Sequence, residues 1–387
     1  MFQFSEEVDR EVVEICSRLV SIKSFNPPGN ELEIANFTRQ YLTEAGLSCE
    51  LISHGAQRAS LIARLAGSGA KDALLFSAHM DTVPVGAEPW QHAPYQAELS
   101  DGKIWGRGTA DMKGGLAVML VAARIIAASG LKLSGDLVLA LSAGEEVNML
   151  GANSLVRRPE LQRLQGMLVA EPTSNDLVIA EKGILWLEIT TMGKTAHGSM
   201  PEYGRNAIRM MLTLIDALDR LDFPFQPHPL LGNFSRSLNT IQGGLQTNMV
   251  PDQCKITIDL RTVPGQDHAL IISQVKDLIG QLKSKDPSFS ADLRTTQAGI
   301  ALATSPDDPM VAALSEIIAS VTGVTPTPKG VRYFTDAAVY APVIPAPLII
   351  CGPGPAEMAH QPDEYVEVEK LKQAVRIYTL AAFRLLK

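Results

Sequence analysis

The stretch Ala73-Leu-Leu-Phe-Ser77-Ala-His79-Met-Asp81 is an apolar run that ends in a histidine and an aspartate. Its apolar residues are continuous rather than alternating, which is typical of a parallel strand covered on both faces. Three further runs have the same character: Leu137-Val-Leu-Ala-Leu141, Gly166-Met-Leu-Val-Ala170 and Pro347-Leu-Ile-Ile-Cys351. Helical patterns separate these runs, above all the apolar stretch from Lys113 to Ala128. We therefore expect an α/β fold in which helices cover a central, mostly parallel sheet.

The pattern changes after Pro172. Ile184–Thr191 and Cys254–Leu260 alternate apolar and polar residues, as strands with one solvated face do. An amphipathic stretch follows each of them, at 207–221 and at 267–282. We interpret this part as a compact α+β unit inserted into the first domain. The predicted boundaries are 1–177 and 296–387 for the main domain and 178–295 for the insertion.

Composition excludes several classes of protein. The chain has 387 residues, of which 46% are hydrophobic, so a sizeable core can form. The formal net charge of -8 argues against a nucleic-acid partner, which would need a basic surface. The acidic start lacks the features of a secretory signal, and no apolar run is long enough for a membrane span. The four cysteines form no CxxC pair. These observations favour a cytoplasmic enzyme with a small-molecule substrate.

Five residues of metal-ligand type lie at predicted strand ends or helix starts. His79, Glu146 and Glu171 follow apolar runs, and His360 follows the last run after a short Gly/Pro loop. Asp111 lies where a glycine-rich loop enters a helix. Because the carboxyl ends of parallel strands meet at one edge of a sheet, these side chains can converge there.

Two histidines and three carboxylates suit a pair of borderline divalent ions. Asp111 is the candidate bridge between the ions. His79 and Glu171 would complete the ligands of one ion, and Glu146 and His360 those of the other.

Two neighbouring carboxylates have supporting roles in this interpretation. Asp81 lies two positions from His79, so in an extended chain both side chains point the same way and the carboxylate can orient the imidazole. Glu145 and Glu146 are adjacent and project in different directions. We therefore assign Glu146 to metal and Glu145 to general-base catalysis.

Each string of sequence also has an ordinary explanation. A histidine after a strand is more often a loop or packing residue than a ligand, and adjacent glutamates usually form a solvated corner. Gly106-Arg-Gly-Thr-Ala-Asp111 could be taken for a phosphate-binding loop, but it lacks the Lys-Ser/Thr ending of a P-loop and the GxGxxG order. The five residues together favour a metal site, and the ordinary explanations stay open at this point.

These strings resemble those of a known enzyme family. They are Ser77-Ala-His-Met-Asp-Thr-Val-Pro84, Gly106-Arg-Gly-Thr-Ala-Asp-Met-Lys-Gly114, Ala143-Gly-Glu-Glu146, Val169-Ala-Glu-Pro-Thr173 and Ala359-His-Gln-Pro-Asp-Glu-Tyr365. These motifs, in this order over nearly the whole chain, are similar to those of the dinuclear zinc metallopeptidases and deacylases. That family includes acetylornithine deacetylase, succinyl-diaminopimelate desuccinylase, aminoacylase and the glutamate carboxypeptidases.

The resemblance implies a role for each residue of the candidate site. Two zinc ions, or cobalt or manganese in their place, would bind to His79, Asp111, Glu146, Glu171 and His360. Asp81 would orient a ligand, Glu145 would be the base, and the Asp111-Met112 peptide would be cis.

The resemblance also implies features of the inserted unit. It would be a ferredoxin-like lid that pairs with the lid of a second copy, so that the protein is a homodimer. His197, in Gly193-Lys-Thr-Ala-His-Gly-Ser-Met-Pro201, resembles the histidine that reaches across the dimer and steadies the developing oxyanion. Asn248 and Arg261 match lid positions that hold substrate in relatives, and an arginine there suits a carboxylate.

The implied reaction is metal-assisted hydrolysis of the amide in an N-acyl amino acid. Gly352-Pro-Gly354 and Tyr333-Phe-Thr-Asp336 are most similar to acetylornithine deacetylases. Of the Gly-Gly-Thr-Ser-Asp run of the desuccinylases only Thr335 and Asp336 remain. A dipeptidase or carboxypeptidase is the alternative within the family. An inactive binding or scaffold protein is the alternative from another class, although such a protein has no need for Glu145.

Overall fold

The computed structural model describes residues 4–387, which form two compact units. The larger unit runs up to Ala180 and also contains Ala303–Val331 and Thr335–Lys387. The smaller unit contains Glu181–Leu302 and Arg332–Phe334. These divisions lie a few residues beyond the predicted 178 and 295. The strand that begins at residue 178 joins the sheet of the larger unit, and the last strand of the smaller sheet continues past residue 295.

The helices and strands are numbered here in chain order. The helices are α1 (Glu6–Ser21), α2 (Leu32–Glu44), α3 (Gly114–Ala128), α4 (Leu150–Leu155), α5 (Ala207–Asp219), α6 (His268–Lys285), α7 (Pro309–Thr322), α8 (Ala337–Tyr340) and α9 (Val368–Leu386). The strands are β1 (Ser48–Ser53), β2 (Ala59–Leu65), β3 (Ala73–His79), β4 (Glu98–Ser100), β5 (Lys103–Trp105), β6 (Leu137–Ser142), β7 (Leu164–Pro172), β8 (Val178–Glu181), β9 (Gly183–Met192), β10 (Ser235–Gly243), β11 (Gln253–Thr262), β12 (Ala291–Gly299), β13 (Leu302–Ala303), β14 (Lys329–Val331), β15 (Leu348–Gly352) and β16 (Tyr365–Glu367).

The main sheet of the larger unit has a parallel centre. Its strand order is β1-β2-β6-β3-β7-β15-β8-β13, with β14 beside β8. Strands β6, β3, β7 and β15 run parallel to one another. On one side of this centre β2 pairs antiparallel with β6, and β1 pairs antiparallel with β2. On the other side β8 pairs antiparallel with β15. The predicted α/β fold is confirmed, and the carboxyl ends of the four central strands lie at one edge.

Burial explains why the central strands are apolar throughout. Every residue of β3, β6 and β15 is buried. Helix α3 packs against α1 and α9 and lies close to β7. A Cβ on Gly115 would lie 2.2 Å from the carbonyl oxygen of Ala170, so glycine is what permits this close approach of α3 to β7. The sheet edge beside α3 is therefore held by tight packing.

A small antiparallel sheet of order β16-β5-β4 also belongs to the larger unit. In it, Tyr365–Glu367 pairs with Lys103–Trp105. The pairing brings the segment after His360 next to the segment before Asp111. Two candidate ligands that are far apart in sequence are thereby brought into one neighbourhood.

The smaller unit has the order β9-α5-β10-β11-α6-β12, which is the ferredoxin-like βαββαβ arrangement. Its antiparallel sheet has the strand order β10-β11-β9-β12. Alternate residues of β9 and β11 pack against α5 and α6, which confirms the predicted α+β character. Strand β10 lies at the edge, and nearly all of its residues are exposed.

Within residues 4–387, the helices that are long enough to cross a membrane are not apolar enough to do so.

Candidate metal centre

The larger unit builds the candidate site from separate elements. His79 is the last residue of β3, Glu171 lies near the end of β7, and Glu146 follows β6 in a turn. Asp111 lies just before α3, where its peptide bond to Met112 is cis as the resemblance implied. His360 lies in the loop between β15 and β16 and has a left-handed backbone, with φ of 66°.

Asp111 lies between two groups of side chains. Its Oδ1 is 3.0 Å from His79 Nε2, and its Oδ2 is 3.3 Å from His360 Nε2. His79 Nε2 is also 3.6 Å from Glu171 Oε1, and His360 Nε2 is 3.0 Å from Glu146 Oε2. In each group of three, the potential ligand atoms lie within 4.8 Å of one another. The structure thus brings together all five residues selected from the sequence, with Asp111 in the shared position.

Burial and close charges shift the pKa values of these groups. Burial raises the pKa of Glu171 well above its ordinary value, and the charge of Asp111 adds to the effect. Burial would lower the pKa of His79, but Glu171 and Asp111 outweigh burial and raise it well above the ordinary value. Hydrogen bonds to Asp111 and Glu146 raise the pKa of His360 to about 10. The carboxylates therefore favour positive charge at both histidines.

A buried oxygen supports a cation at this place. Glu146 Oε1 is buried and has no hydrogen-bond partner within residues 4–387. A buried carboxylate oxygen without a donor is costly unless a cation coordinates it. Imidazole nitrogens and carboxylate oxygens are also the donors that borderline ions such as Zn²⁺ prefer. The residues present therefore fit a pair of divalent ions.

The carboxylate of Asp81 holds the turn that carries the two adjacent glutamates. Its Oδ1 accepts hydrogen bonds from the backbone amides of Gly144 at 3.0 Å and Glu145 at 3.1 Å. Its Oδ2 accepts hydrogen bonds from Asn26 Nδ2 at 3.0 Å and from the backbone amide of Glu146 at 3.3 Å. Asp81 therefore fixes the backbone from which both glutamates project.

The contact between Asp81 and His79 corrects a detail of the sequence-based interpretation. His79 Nδ1 lies 2.9 Å from the backbone carbonyl oxygen of Asp81 but 3.7 Å from its carboxylate. The nearer partner of the imidazole is therefore the carbonyl, because backbone amides and Asn26 already occupy the carboxylate. The same residue still orients the ring, but through its main chain.

Glu145 is the buried carboxylate next to these ligands. Only 9% of the residue is exposed. Burial raises its pKa well above the ordinary value, which His79 opposes and Glu171 reinforces. A carboxyl group with a raised pKa is suited to take up a proton and give it back near neutral pH.

The other predicted site residues lie in the smaller unit. His197 is exposed, and its Nδ1 is 2.7 Å from Ser199 Oγ. Asn248 is exposed as well. Arg261 forms an ion pair of 3.0 Å with Asp259. The cluster of candidate ligands is built entirely by the larger unit, so these three residues are not part of it.

Some buried polar residues beside the ligands have no role in the sequence-based interpretation. Arg107 and Glu364 form an ion pair of 2.7 Å. Ser142 Oγ donates a hydrogen bond to Asp336, and burial raises the pKa of Asp336 to about 6. Their position in the sequence could have pointed to Arg107 and Glu364, because they lie in the two motifs that also contain Asp111 and His360.

Comparisons with known proteins show the family of this chain. The model of peptidase family M20/M25/M40 matches residues 75–384. A probable succinyl-diaminopimelate desuccinylase of Staphylococcus aureus (strain MRSA252) is 28% identical over 420 residues, covering 100% of each chain. An acetylornithine deacetylase of Myxococcus xanthus is 30% identical over 358 residues, covering 90% of each.

A solved structure shows the same fold over the full length. It is a Bacillus subtilis protein described as a dinuclear metal binding peptidase from the M20 family, with a TM-score of 0.74 and 16% identity. The match covers 99% of each chain, so it spans the main domain and the insertion alike. The resemblance found in the sequence is therefore confirmed. The chain belongs to peptidase family M20/M25/M40 and is a hydrolase of amide bonds.

Proposed function

We propose that this protein removes the acyl group from an N-acyl amino acid, using two divalent metal ions and a glutamate base. The observation that carries the proposal is the pair of ligand groups that share Asp111, beside the buried Glu145. One relative is named a desuccinylase and another a deacetylase, which favours an acyl amide over other amides. We expect zinc, with cobalt or manganese as substitutes.

The five candidate ligands would hold the ions as their grouping suggests. His79 and Glu171 would bind one ion, Glu146 and His360 the other, and Asp111 both. When bound, such ions polarise a carbonyl group and lower the pKa of a water.

Glu145 handles the proton in this proposal. Its carboxylate accepts a proton from the attacking water and delivers it to the leaving nitrogen of the amide. The turn fixed by Asp81 holds Glu145 in place for both transfers. The Asp81 carbonyl meanwhile keeps the His79 ring in one orientation.

The smaller unit would supply substrate contacts and the surface for a homodimer. Strand β10 is an edge strand, and its Leu238 and Ile241 are 40% and 50% exposed. An unpaired edge with apolar side chains is a template for pairing with a second copy. His197 of that copy would steady the oxyanion, while Asn248 and Arg261 would bind the substrate, Arg261 through a carboxylate.

A dipeptidase or carboxypeptidase remains the second candidate, because the matched Bacillus subtilis structure is described as a peptidase. An inactive scaffold is disfavoured by the presence of Glu145 together with all five ligand types. The four cysteines are free thiols, which suits the cytoplasmic location expected from the sequence.

A substrate panel tests the proposal. Purified protein loaded with Zn²⁺ is assayed against N-acetyl amino acids, N-succinyl amino acids and dipeptides, beside the variants Glu145→Gln and Glu7→Gln. We expect release of an acyl group by the wild type and by Glu7→Gln, since Glu7 is exposed in α1. Glu145→Gln should keep its metal and lose activity by a factor of about 100 or more.

Two other outcomes of this panel would each contradict a different part of the proposal. Cleavage of dipeptides alone would select the second candidate, and near-normal turnover by Glu145→Gln would exclude Glu145 as the base.

A further inference from the structure

The carboxylate of Glu364 is completely buried beneath the loop that ends in Asp111. Its Oε1 accepts hydrogen bonds from the backbone amides of Ala110 at 2.8 Å and Asp111 at 2.9 Å. Its Oε2 accepts a hydrogen bond from the backbone amide of Gly108 at 2.8 Å. One side chain thus satisfies three amides of the loop and fixes the backbone of the shared ligand.

Arg107 connects the same carboxylate to the loop that carries His360. Its Nη1 donates to Glu364 Oε2 at 2.7 Å and to the carbonyl oxygen of Gln361 at 3.2 Å. Its Nη2 donates to the carbonyl oxygens of His360 and Pro84, each at 3.4 Å. The guanidinium, which is 2% exposed as a side chain, therefore holds the backbone around His360.

The ion pair lies where the small sheet ends. The backbone amide of Gly106 donates to the carbonyl oxygen of Glu364 at 2.8 Å, directly after the pairing of β5 with β16. Beyond this point the two chains separate into the loops that carry Asp111 and His360. The side chains of Arg107 and Glu364 continue the connection that the backbone ladder no longer makes.

His360 has a backbone conformation that residues other than glycine seldom adopt, so contacts to its main chain matter for its position. Half of its side chain is exposed, and its backbone has a positive φ of 66°. Taking an arginine and a glutamate out of water is expensive, and burying the pair gives little net stability. A buried pair of this kind is better explained by the geometry that it imposes.

We propose that Arg107 and Glu364 are positioning residues, which set the separation of Asp111 and His360 and thereby the affinity of the ion held by Asp111, Glu146 and His360. The inference rests on the two-ion site of the proposed function. Both residues act through the main chain of the ligands. Loss of such outer partners typically weakens metal binding 10- to 100-fold.

The test is a Zn²⁺ titration of metal-free protein against a chelating indicator, for the wild type and for Glu364→Gln and Arg107→Lys. We expect the wild type to bind two ions. In Arg107→Lys one ion should bind about 10- to 100-fold more weakly, while the affinity for the other changes by only a few fold. In Glu364→Gln the ion held with His360 should weaken by the same factor, and the other ion, which also depends on Asp111, should weaken by less. Arg107→Lys keeps a positive charge opposite Glu364 but cannot reach the carbonyls of Gln361 and His360 at the same time.

A second readout separates positioning from a merely structural role. The melting temperature is measured for each variant with and without Zn²⁺. A structural role lowers both temperatures equally and leaves the rise on metal addition unchanged, whereas positioning reduces that rise. Should Glu364→Gln fail to fold, Arg107→Lys alone decides the matter by the same two measurements.

Asp136→Asn is the matched control. Asp136 also joins an arginine and a backbone amide, with Arg64 Nε at 2.5 Å and the amide of Gly67 at 2.8 Å. It precedes β6, at the opposite end of the strand from the ligands, so metal affinity should not change. A wild type that binds no ion would refute the proposed function. If the wild type binds two ions and the variants bind both ions as tightly as the wild type does, only the positioning inference is overturned.

Discussion

Asp81 organises the candidate site by accepting hydrogen bonds from three consecutive backbone amides, those of Gly144, Glu145 and Glu146. In Asp81→Asn an NH₂ group would face one or more of these amides, and a buried donor without an acceptor costs about 1–3 kcal/mol. We expect the free energy of unfolding to fall by about that amount, as measured by urea unfolding. We also expect kcat to fall about 10-fold or more, because Glu145 moves with the turn.

Asn26→Ala is the control for this prediction, since it removes only one partner of Asp81 Oδ2. It should cost about 1 kcal/mol and leave kcat nearly unchanged. An Asp81→Asn variant with wild-type kcat would contradict the role given to the turn.

The charge state of His360 leads to a pH-dependent stability. The pKa of His360 is raised to about 10 in the metal-free protein, whereas an unfolded histidine titrates near 6.5. The folded state therefore binds the proton more tightly, and this contribution to stability is complete below pH 6.5 and is lost as the pH rises through about 10. We expect the melting temperature of chelated protein to fall across this window, and to fall less steeply in His360→Gln. If the melting temperature falls equally steeply with pH in the wild type and in His360→Gln, the prediction is contradicted.

The sequence selected the five candidate ligands that the structure brings together, but not the residues that support them. Residue type and position identified His79 and Glu171 at strand ends, which meet at one edge of a parallel sheet, and Asp111 at the start of a helix. The buried pair of Arg107 and Glu364 could not be found in this way, since charged residues are usually exposed. Only the three-dimensional path of the two loops shows what these side chains hold.

The close approach of α3 to β7 depends on a glycine. A methyl group on Gly115 would lie 2.2 Å from the carbonyl oxygen of Ala170, one residue before Glu171. Gly115→Ala should therefore destabilise the protein by about 1–3 kcal/mol, as overpacking of a core does. Thermal and urea unfolding measure the loss.

Gly280 in α6 is the matched control, because a methyl group there would meet no atom within 4 Å. Gly280→Ala should stabilise the protein by about 0.5–1 kcal/mol, since alanine favours a helix over glycine. If both substitutions change the free energy of unfolding by the same amount, the close packing of α3 against β7 is not the cause of the loss of stability in Gly115→Ala.

The sequence predicted some elements better than others for a physical reason. Strands β3, β6 and β15 were clear because both faces are buried, which requires continuous apolar sequence. Strand β10 has little burial on either face and is largely polar, so its sequence carries no alternation. The antiparallel edges of the main sheet depend on pairing partners that local sequence does not specify.

The proposed homodimer predicts how much activity returns when two inactive variants form mixed dimers. Glu145→Gln and His197→Ala should each be nearly inactive. If His197 serves the active site of the other copy, mixed dimers contain one site with both native residues. Unfolding and refolding the two variants together should then restore about a quarter of wild-type activity, by random pairing of subunits. No recovery, with dimers present by sedimentation, would contradict action across the dimer.

The dimer surface itself can be tested by charge. Ile241→Lys places a charge on the exposed edge strand β10, which should prevent pairing with a second copy. We expect a monomer by sedimentation with an unchanged fold by circular dichroism. Lys276→Glu, on α6 rather than β10, should leave the assembly as it is in the wild type. A dimer that survives Ile241→Lys would place the interface elsewhere.

The proposed function requires that five side chains hold two divalent ions on which hydrolysis depends. The most direct test is to count bound metal by elemental analysis while activity is followed during removal and return of Zn²⁺. We expect two ions per chain, loss of hydrolysis on chelation, and recovery as Zn²⁺ is added back. Full activity in protein that contains no metal would contradict the proposed function.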